Sequence, residues 1–387
     1  MTRTENGAEA VLDEVTALVP ALRASGRAAE ERRWIADETV RLLDKAGVFR
    51  LAVPRRHGGL GATVAERSRI LGEIARGDSA AGWVSMIWVS SAWVPGLFSE
   101  QAQEEVYAGG SVKVSTGFTP SGGLAPSGED YLLDGSWKWI SGAQGADWAL
   151  LAALLPGPDG TPLPYAALVP FSELTVADDW HAAAGAATGS ATVTATAVTV
   201  PAHRVLGLGD LLGGTGPGAT GHDYPFVPFF MALGAAAYLG IAKGAYELFL
   251  DRLPGRGITY TSWTDQRLSP VTQVQVAVAA NRIEAAEALQ ERWLRRLQEH
   301  ADAGTAPDPA ERAAARGRAG YAVQLVKEAV DGLYEAAGAS VILHDEPFQR
   351  FHRDLKGLAQ HALFTFHTNQ EVHGRALLGL APDTPFL

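Results

Sequence analysis

Apolar positions recur at spacings of three and four through most of the first hundred residues. Val11, Val15, Leu18 and Leu22 form one stripe, and Ile35, Val40, Leu42 and Leu43 form a similar one. That period predicts amphipathic helices from about residue 8 to 110. Pro54, Gly58, Gly59 and Gly61 interrupt it, and helical texture resumes over Val64 to Ile74 and Trp83 to Phe98. From about residue 111 the period shortens and Gly, Thr, Ser and Val dominate. Tyr131 to Leu133, then Asp134-Gly135, then Trp137 to Ile140 predict a hairpin, with Asp-Gly supplying the positive φ of a tight turn. Ala149 to Leu155 and Ala166 to Val169 read as buried strands. Thr192 to Val200 alternates, which puts Val193, Ala195, Ala197 and Thr199 on one strand face.

The glycine-rich stretch Gly207 to Gly221 superficially suggests a phosphate loop. It lacks the Lys-Ser/Thr ending and a preceding parallel-strand unit, so it reads as a linker or mobile loop. From about residue 225 the chain is helical again. The most apolar run, Phe226 to Leu250, contains Pro228, Gly234, Gly240, Lys243 and Glu247, which fits a buried bundle helix better than a membrane span. Val276, Ala280, Ile283, Leu289, Trp293 and Leu297 form another stripe, and 311–337 and 346–379 read as further long helices. The order is α, then β, then α. The expected class is therefore α+β, mostly α, in three units: 1–110 helical, 111–222 β, and 223–387 a helical bundle. Strands and helices do not alternate, which disfavours a doubly wound dinucleotide-binding sheet.

The 387 residues allow a large core, and 47% hydrophobic with 19% charged residues is a globular composition. A net charge of −11 without a basic cluster argues against a nucleic-acid partner. The chain has no cysteine, so disulfides, thiolate metal sites and cysteine nucleophiles are excluded, and a reducing cytoplasm fits. The polar, acidic start predicts no export signal.

His361, His367 and His373 are six apart, which rotates the rings to different helix faces and disfavours a metal site. There is no Gly-x-Ser-x-Gly elbow. Two segments stand out. Trp137-Lys138-Trp139-Ile140-Ser141-Gly142 puts two tryptophans on one strand face, ahead of a small hydroxyl residue and a glycine. Such a surface suits a planar heterocycle, and it equally suits two rings packed between domains. In the second segment Arg350 and Asp354 are spaced to pair. On a continuous helix His361 lies two turns beyond Asp354, about 10 Å along the axis. An inward histidine with a pKa near 7 serves proton transfer, although a lone inward histidine is often simply core.

Taken in order, these segments resemble the acyl-CoA dehydrogenase superfamily. Leu42 to Pro54 followed by His57-Gly58-Gly59-Leu60-Gly61 is similar to its N-terminal signature. Gly128 to Ala143 resembles its β-domain segment ending in Trp-Ile-Thr or Trp-Ile-Ser. Gly185 to Ser190 and Val198 to Arg204 resemble its next loop and strand. The similarity spans about residues 12 to 380. Ser115 to Gly122 lacks the acidic loop pattern of the dehydrogenases, and no Tyr-Glu-Gly-Thr element is present. Arg350, Arg353, Asp354 and His361, together with Gly82 to Phe98, look more like the two-component flavin monooxygenases. Ser91 stands where many aromatic hydroxylases of that group carry a histidine, a departure that weakens a simple phenol hydroxylase reading. It keeps open a bulkier substrate, or attack on nitrogen or another heteroatom, as an alternative to hydroxylation of a small aromatic or natural-product substrate.

The resemblance implies reduced FMN or FAD delivered by a separate reductase, and oxygen activation through a flavin C4a-hydroperoxide. It also implies a small organic substrate, no nucleic acid or membrane partner, and a homotetramer. Its catalytic set is His361, Ser141 and Asp354, with Arg353 and Asp354 orienting their helix. Trp139 would lie against the flavin ring and Ser141 near N5. Ser115, Thr116, Thr188 and Ser190 would lie near the cofactor, and Arg256 would reach a flavin phosphate. Trp83, Ser91 and His361 would face the substrate. The rivals are an acyl-CoA dehydrogenase-like enzyme with tightly bound FAD and a non-catalytic helical interaction protein.

Overall fold

The computed structural model describes residues 5–387. Five helices come first: α1 (Glu5–Arg32), α2 (Asp37–Lys45), α3 (Val64–Gly77), α4 (Ser79–Ser91) and α5 (Glu100–Val106). Seven strands follow: β1 (Val114–Ser127), β2 (Asp130–Ile140), β3 (Trp148–Pro156), β4 (Pro162–Pro170), β5 (Thr175–Val176), β6 (Ala191–Val200) and β7 (Val205–Gly207). The chain then returns to helix: α6 (Leu208–Gly213), α7 (Phe226–Arg252), α8 (Pro270–Ala303), α9 (Pro309–Ala336), α10 (Pro347–Leu358) and α11 (Phe366–Leu377). The mostly α, α+β class is as expected.

Local chemistry sets the boundaries. Capping boxes start α3 (Thr63 with Glu66) and α9 (Asp308 with Glu311). Asp78 ends α3 and caps α4 by accepting the Ala81 N–H at 2.9 Å. Helix α7 is apolar all round because neighbours cover it. Among the described residues it is the one helix long and apolar enough to cross a membrane, and 94% of its apolar window is buried within the protein. It packs closely on α3: a Cβ on Gly240 would sit 2.1 Å from the Gly72 carbonyl oxygen.

The strands form one sheet of order β5-β6-β2-β1-β3-β4-β7. Only the β1–β3 pair is parallel. Leu133, Trp137, Leu151, Val169, Val193 and Val200 gather in its own apolar cluster, apart from the helical core.

Five expectations need correction. The hairpin turn falls at Gly128-Glu129, where Ser127 pairs with Asp130, and Asp134-Gly135 lies inside the continuous β2. There Asp134 accepts the Ala197 N–H at 2.8 Å, and Gly135 leaves room for the Trp137 ring. Trp137 and Trp139 do not share a face. The register against β6 shifts between Trp137 and Ile140, Trp139 takes φ +64°, and the exposures are 1% and 73%. Alternation in β6 breaks at Ala197 (φ +48°), so Val198 and Val200 point inward in place of Ala197 and Thr199. The stretch 207–221 is no free linker. It holds α6, buries Leu208 and Leu211, and Gly218 donates its N–H to Leu97 O at 3.0 Å. Finally, 346–379 is not one helix. It stops at Leu358, whose carbonyl accepts both the Tyr238 hydroxyl (2.7 Å) and the His361 N–H (3.0 Å).

Candidate active site between the sheet and the helices

Ser141 follows directly on β2 and is half-buried. Gly142 (φ +74°) turns the chain there, and its N–H donates to Thr188 O at 3.0 Å. A Cβ at that glycine would lie 2.5 Å from Trp88 Nε1, so the close approach of α4 needs glycine. Two indoles of α4 reach across. Trp88 Nε1–H donates to Ser115 Oγ at 3.1 Å, and that hydroxyl donates to the Ser141 carbonyl at 2.8 Å. Trp83 Nε1–H donates to Ser141 Oγ at 3.1 Å. Behind Ser141, its Oγ lies 2.7 Å from Ser190 Oγ, and Ser190 Oγ lies 2.7 Å from Thr188 Oγ1. Ser91 and Thr116 meet hydroxyl to hydroxyl at 3.4 Å on the same α4–β1 seam.

His361 joins this cluster from the other side. Its ring lies 5.7 Å from Trp83, 5.8 Å from Phe230 and 5.7 Å from Phe364, centroid to centroid. It sits in the break after α10, not two helical turns beyond Asp354. Its Nδ1 accepts the Leu363 N–H at 3.3 Å and so caps the short turn Ala362–Phe364. Burial among these rings pushes its pKa down to about 4, although one edge keeps some exposure. The expected value near 7 is therefore corrected: the imidazole is neutral. With Nδ1 accepting, the proton is assigned to Nε2, which leaves an N–H donor.

Arg350 does not pair with Asp354. Its guanidinium binds Asp78 at the α3–α4 junction. The Asp354 carboxylate instead accepts from Ser79 Oγ and from the Gly185 N–H (2.6 Å). Burial raises its pKa, opposed by those two hydrogen bonds. Asp354 thus ties α10 to the start of α4 and to the loop that carries Thr188 and Ser190. Arg353 holds Glu30 and the Ala183 carbonyl. Arg256 lies elsewhere, donating to Ala337 O at 2.6 Å and Ser340 Oγ at 3.1 Å. Within the chain it is tied to the end of α9.

Ser141, Ser115, Thr116, Thr188, Ser190, Trp83, Ser91 and His361 therefore converge on the seam between sheet and helices, while Trp139 stands mostly exposed two residues before Ser141. Sequence reasoning missed Trp88, Tyr238 and Phe230. They sit in apolar segments where nothing marks one aromatic residue from the next. Asp78 was findable as a cap before a helical run.

The seam suits a flat, partly polar heterocycle. Trp139 offers an uncovered indole at the strand end, and Ser141 offers a held hydroxyl beside it. No group of metal-binding side chains occurs among the described residues.

Two family models and several known proteins match the chain. Residues 7–110 match the family model "Acyl-CoA dehydrogenase, N-terminal domain", and residues 232–366 match "Acyl-CoA dehydrogenase, C-terminal domain". The chain is 30% identical to a pigment production hydroxylase of Rhodococcus sp. (strain ATCC 21145), over 100% of both chains. It is 30% identical to the flavin-dependent monooxygenase oxygenase subunit HsaA of Mycobacterium tuberculosis, over 98% of each. XiaF from Streptomyces sp., solved with FADH2 and glycerol, superposes with a TM-score of 0.92 at 29% identity, covering 99% of this chain and 98% of that one. The chain belongs to the acyl-CoA dehydrogenase superfamily, among the two-component flavin-dependent monooxygenases.

Proposed function

We propose that the chain is the oxygenase component of a two-component system that hydroxylates a small aromatic substrate. The observation that carries this reading is the contact chain from Ser141 through Trp83 to His361, which lines up a hydroxyl, an indole and a neutral imidazole along one seam. Bound there, a reduced flavin would activate oxygen, transferring one atom to the substrate and releasing the other as water. Trp139 would lie against the ring system, and Ser141 would accept its N5–H. His361 would donate Nε2–H to the oxygen being transferred or to the substrate. Its depressed pKa makes it a neutral hydrogen-bond donor and not a strong acid. Trp83, Phe230, Phe364 and Tyr238 would shape an apolar wall that excludes water. Ser115 and Thr116 would fix the cofactor side of the seam, and Ser91 the substrate side. Asp354 acts at a distance, as a positioning residue for the 185–190 loop.

We assign the flavin to a diffusible reductase, and the working assembly to a homotetramer in the cytoplasm. The exposed Leu268, just before α8, and Val271, Val274 and Val278 in its first turns support an assembly face. In that assembly Arg256 would reach a partner's flavin phosphate.

The test combines the chain with a flavin reductase, NAD(P)H, labelled oxygen and a panel of aromatic and heteroaromatic compounds, read by mass spectrometry. Labelled product is expected. His361→Ala should lower product per flavin oxidised and raise free hydrogen peroxide. Unchanged coupling removes His361 from the chemistry.

A further inference from the structure

The hydroxyl chain behind Ser141 has a fixed direction, and its two ends set it. A carbonyl only accepts, so the 2.7 Å contact between Thr188 Oγ1 and Gly185 O uses the Thr188 proton. An indole N–H only donates, so Ser141 Oγ accepts from Trp83. With the Thr188 proton engaged, the 2.7 Å contact to Ser190 Oγ requires Ser190 to donate. With the Ser190 proton engaged in turn, the 2.7 Å contact to Ser141 requires Ser141 to donate to Ser190. Running the chain the other way would leave Thr188 Oγ1 and Gly185 O at 2.7 Å with no proton between them. Thr188 and Ser190 are buried, so water does not relieve that conflict, and Ser141 alone is partly open.

Ser141 therefore has no proton left for a ligand. One lone pair takes the Trp83 N–H, which leaves one acceptor site on a side chain that is only half-buried. We propose that this directed chain makes Ser141 an obligate acceptor that selects reduced over oxidised flavin, with Thr188 and Ser190 as the positioning residues that set its polarity. Reduced flavin carries a hydrogen on N5, whereas oxidised flavin presents a lone pair there. Two facing lone pairs leave buried acceptors unsatisfied, which corresponds to about tenfold or more in affinity. The proposal rests on the flavin reading above.

The experiment is an anaerobic titration of the full chain with oxidised and with dithionite-reduced FMN and FAD, read by quenching of tryptophan fluorescence. The wild type should bind the reduced form at least about tenfold more tightly. Thr188→Val frees the Ser190 proton, so the chain can reverse and Ser141 can donate. The ratio of the two Kd values should then fall about tenfold, mainly through tighter binding of oxidised flavin. Ser190→Ala should act in the same direction by removing the acceptor for the Ser141 proton. Thr188→Ser should restore the wild-type ratio. General damage to the fold weakens both forms together and leaves the ratio alone. Equal wild-type affinities, or variants that keep the wild-type ratio, overturn the proposal and leave flavin binding intact. A wild type that binds neither form overturns the flavin reading itself.

Discussion

The neutral His361 makes stability depend on pH in a calculable way. Its ordinary pKa is 6.5, and burial beside Trp83, Phe230 and Phe364 lowers it to about 4 in the folded chain. Between those values the unfolded chain binds a proton that the folded chain does not. Stability therefore rises with pH across that window and is lost as pH falls through it. The shift of about 2.5 units corresponds to about 3 kcal/mol in total, of which about 2 kcal/mol falls between pH 7 and pH 5. Other groups titrate there too, so the measured quantity is a difference. Urea unfolding, followed by tryptophan fluorescence at fixed protein concentration, should be run at pH 7 and pH 5 on the wild type and on His361→Asn. Asn does not titrate, and its side-chain oxygen can still accept the Leu363 N–H. The wild type should lose about 2 kcal/mol more than the variant on acidification. Equal losses would refute the burial argument and the lowered pKa of His361.

Trp139 is mostly exposed, so Trp139→Ala should leave the melting temperature nearly unchanged while weakening reduced-flavin affinity about tenfold, as titration would measure. Unweakened affinity would remove the indole from the cofactor site. The buried arginines should respond in opposite directions. Arg350→Met strands the buried Asp78 carboxylate and should cost about 3–5 kcal/mol by urea unfolding. Arg67 is equally buried, has no carboxylate partner among the described residues, and leaves Nε and Nη1 unbonded beside Phe229. Arg67→Met should raise the melting temperature, and a fall would show that this guanidinium has a partner.

The α-β-α order and the buried character of α7 were legible because period and run length depend on local sequence. What sequence could not show were the places where β geometry departs from strict alternation. Asp134-Gly135 has turn chemistry, yet its aspartate is used to hold the irregular Ala197 and its glycine to admit Trp137. One residue in positive φ, Trp139, then reverses which tryptophan is buried. No pattern of residue types announces that reversal, because the register shift against β6 is a property of the pairing. The same limit applied to His361. A helix period carried through 346–379 places it on the Asp354 face, but a hydroxyl from α7 takes the Leu358 carbonyl where the helix ends.

Helix α4 explains why the site residues converge despite being far apart in sequence. All 13 of its residues are buried. Its polar side chains other than Ser85, whose Oγ has no hydrogen-bond partner, bond inside the protein, where leaving a polar group unpaired is costly. Ser79 meets Asp354, Trp83 meets Ser141, Trp88 meets Ser115 and Ser91 meets Thr116. Three of these partners lie on the sheet side and one on α10, so the helix is pinned by directional bonds to both neighbours. An apolar helix alone would be free to slide by small amounts against a flat sheet, since apolar contact is non-directional. The Trp83 and Trp88 N–H groups remove that freedom, and Asp354 repeats the constraint through Gly185 to the loop bearing Thr188 and Ser190. The position of Ser141 relative to His361 is thus fixed by the hydrogen bonds that this buried helix makes to both neighbours, and the precision of the seam follows from the cost of breaking them.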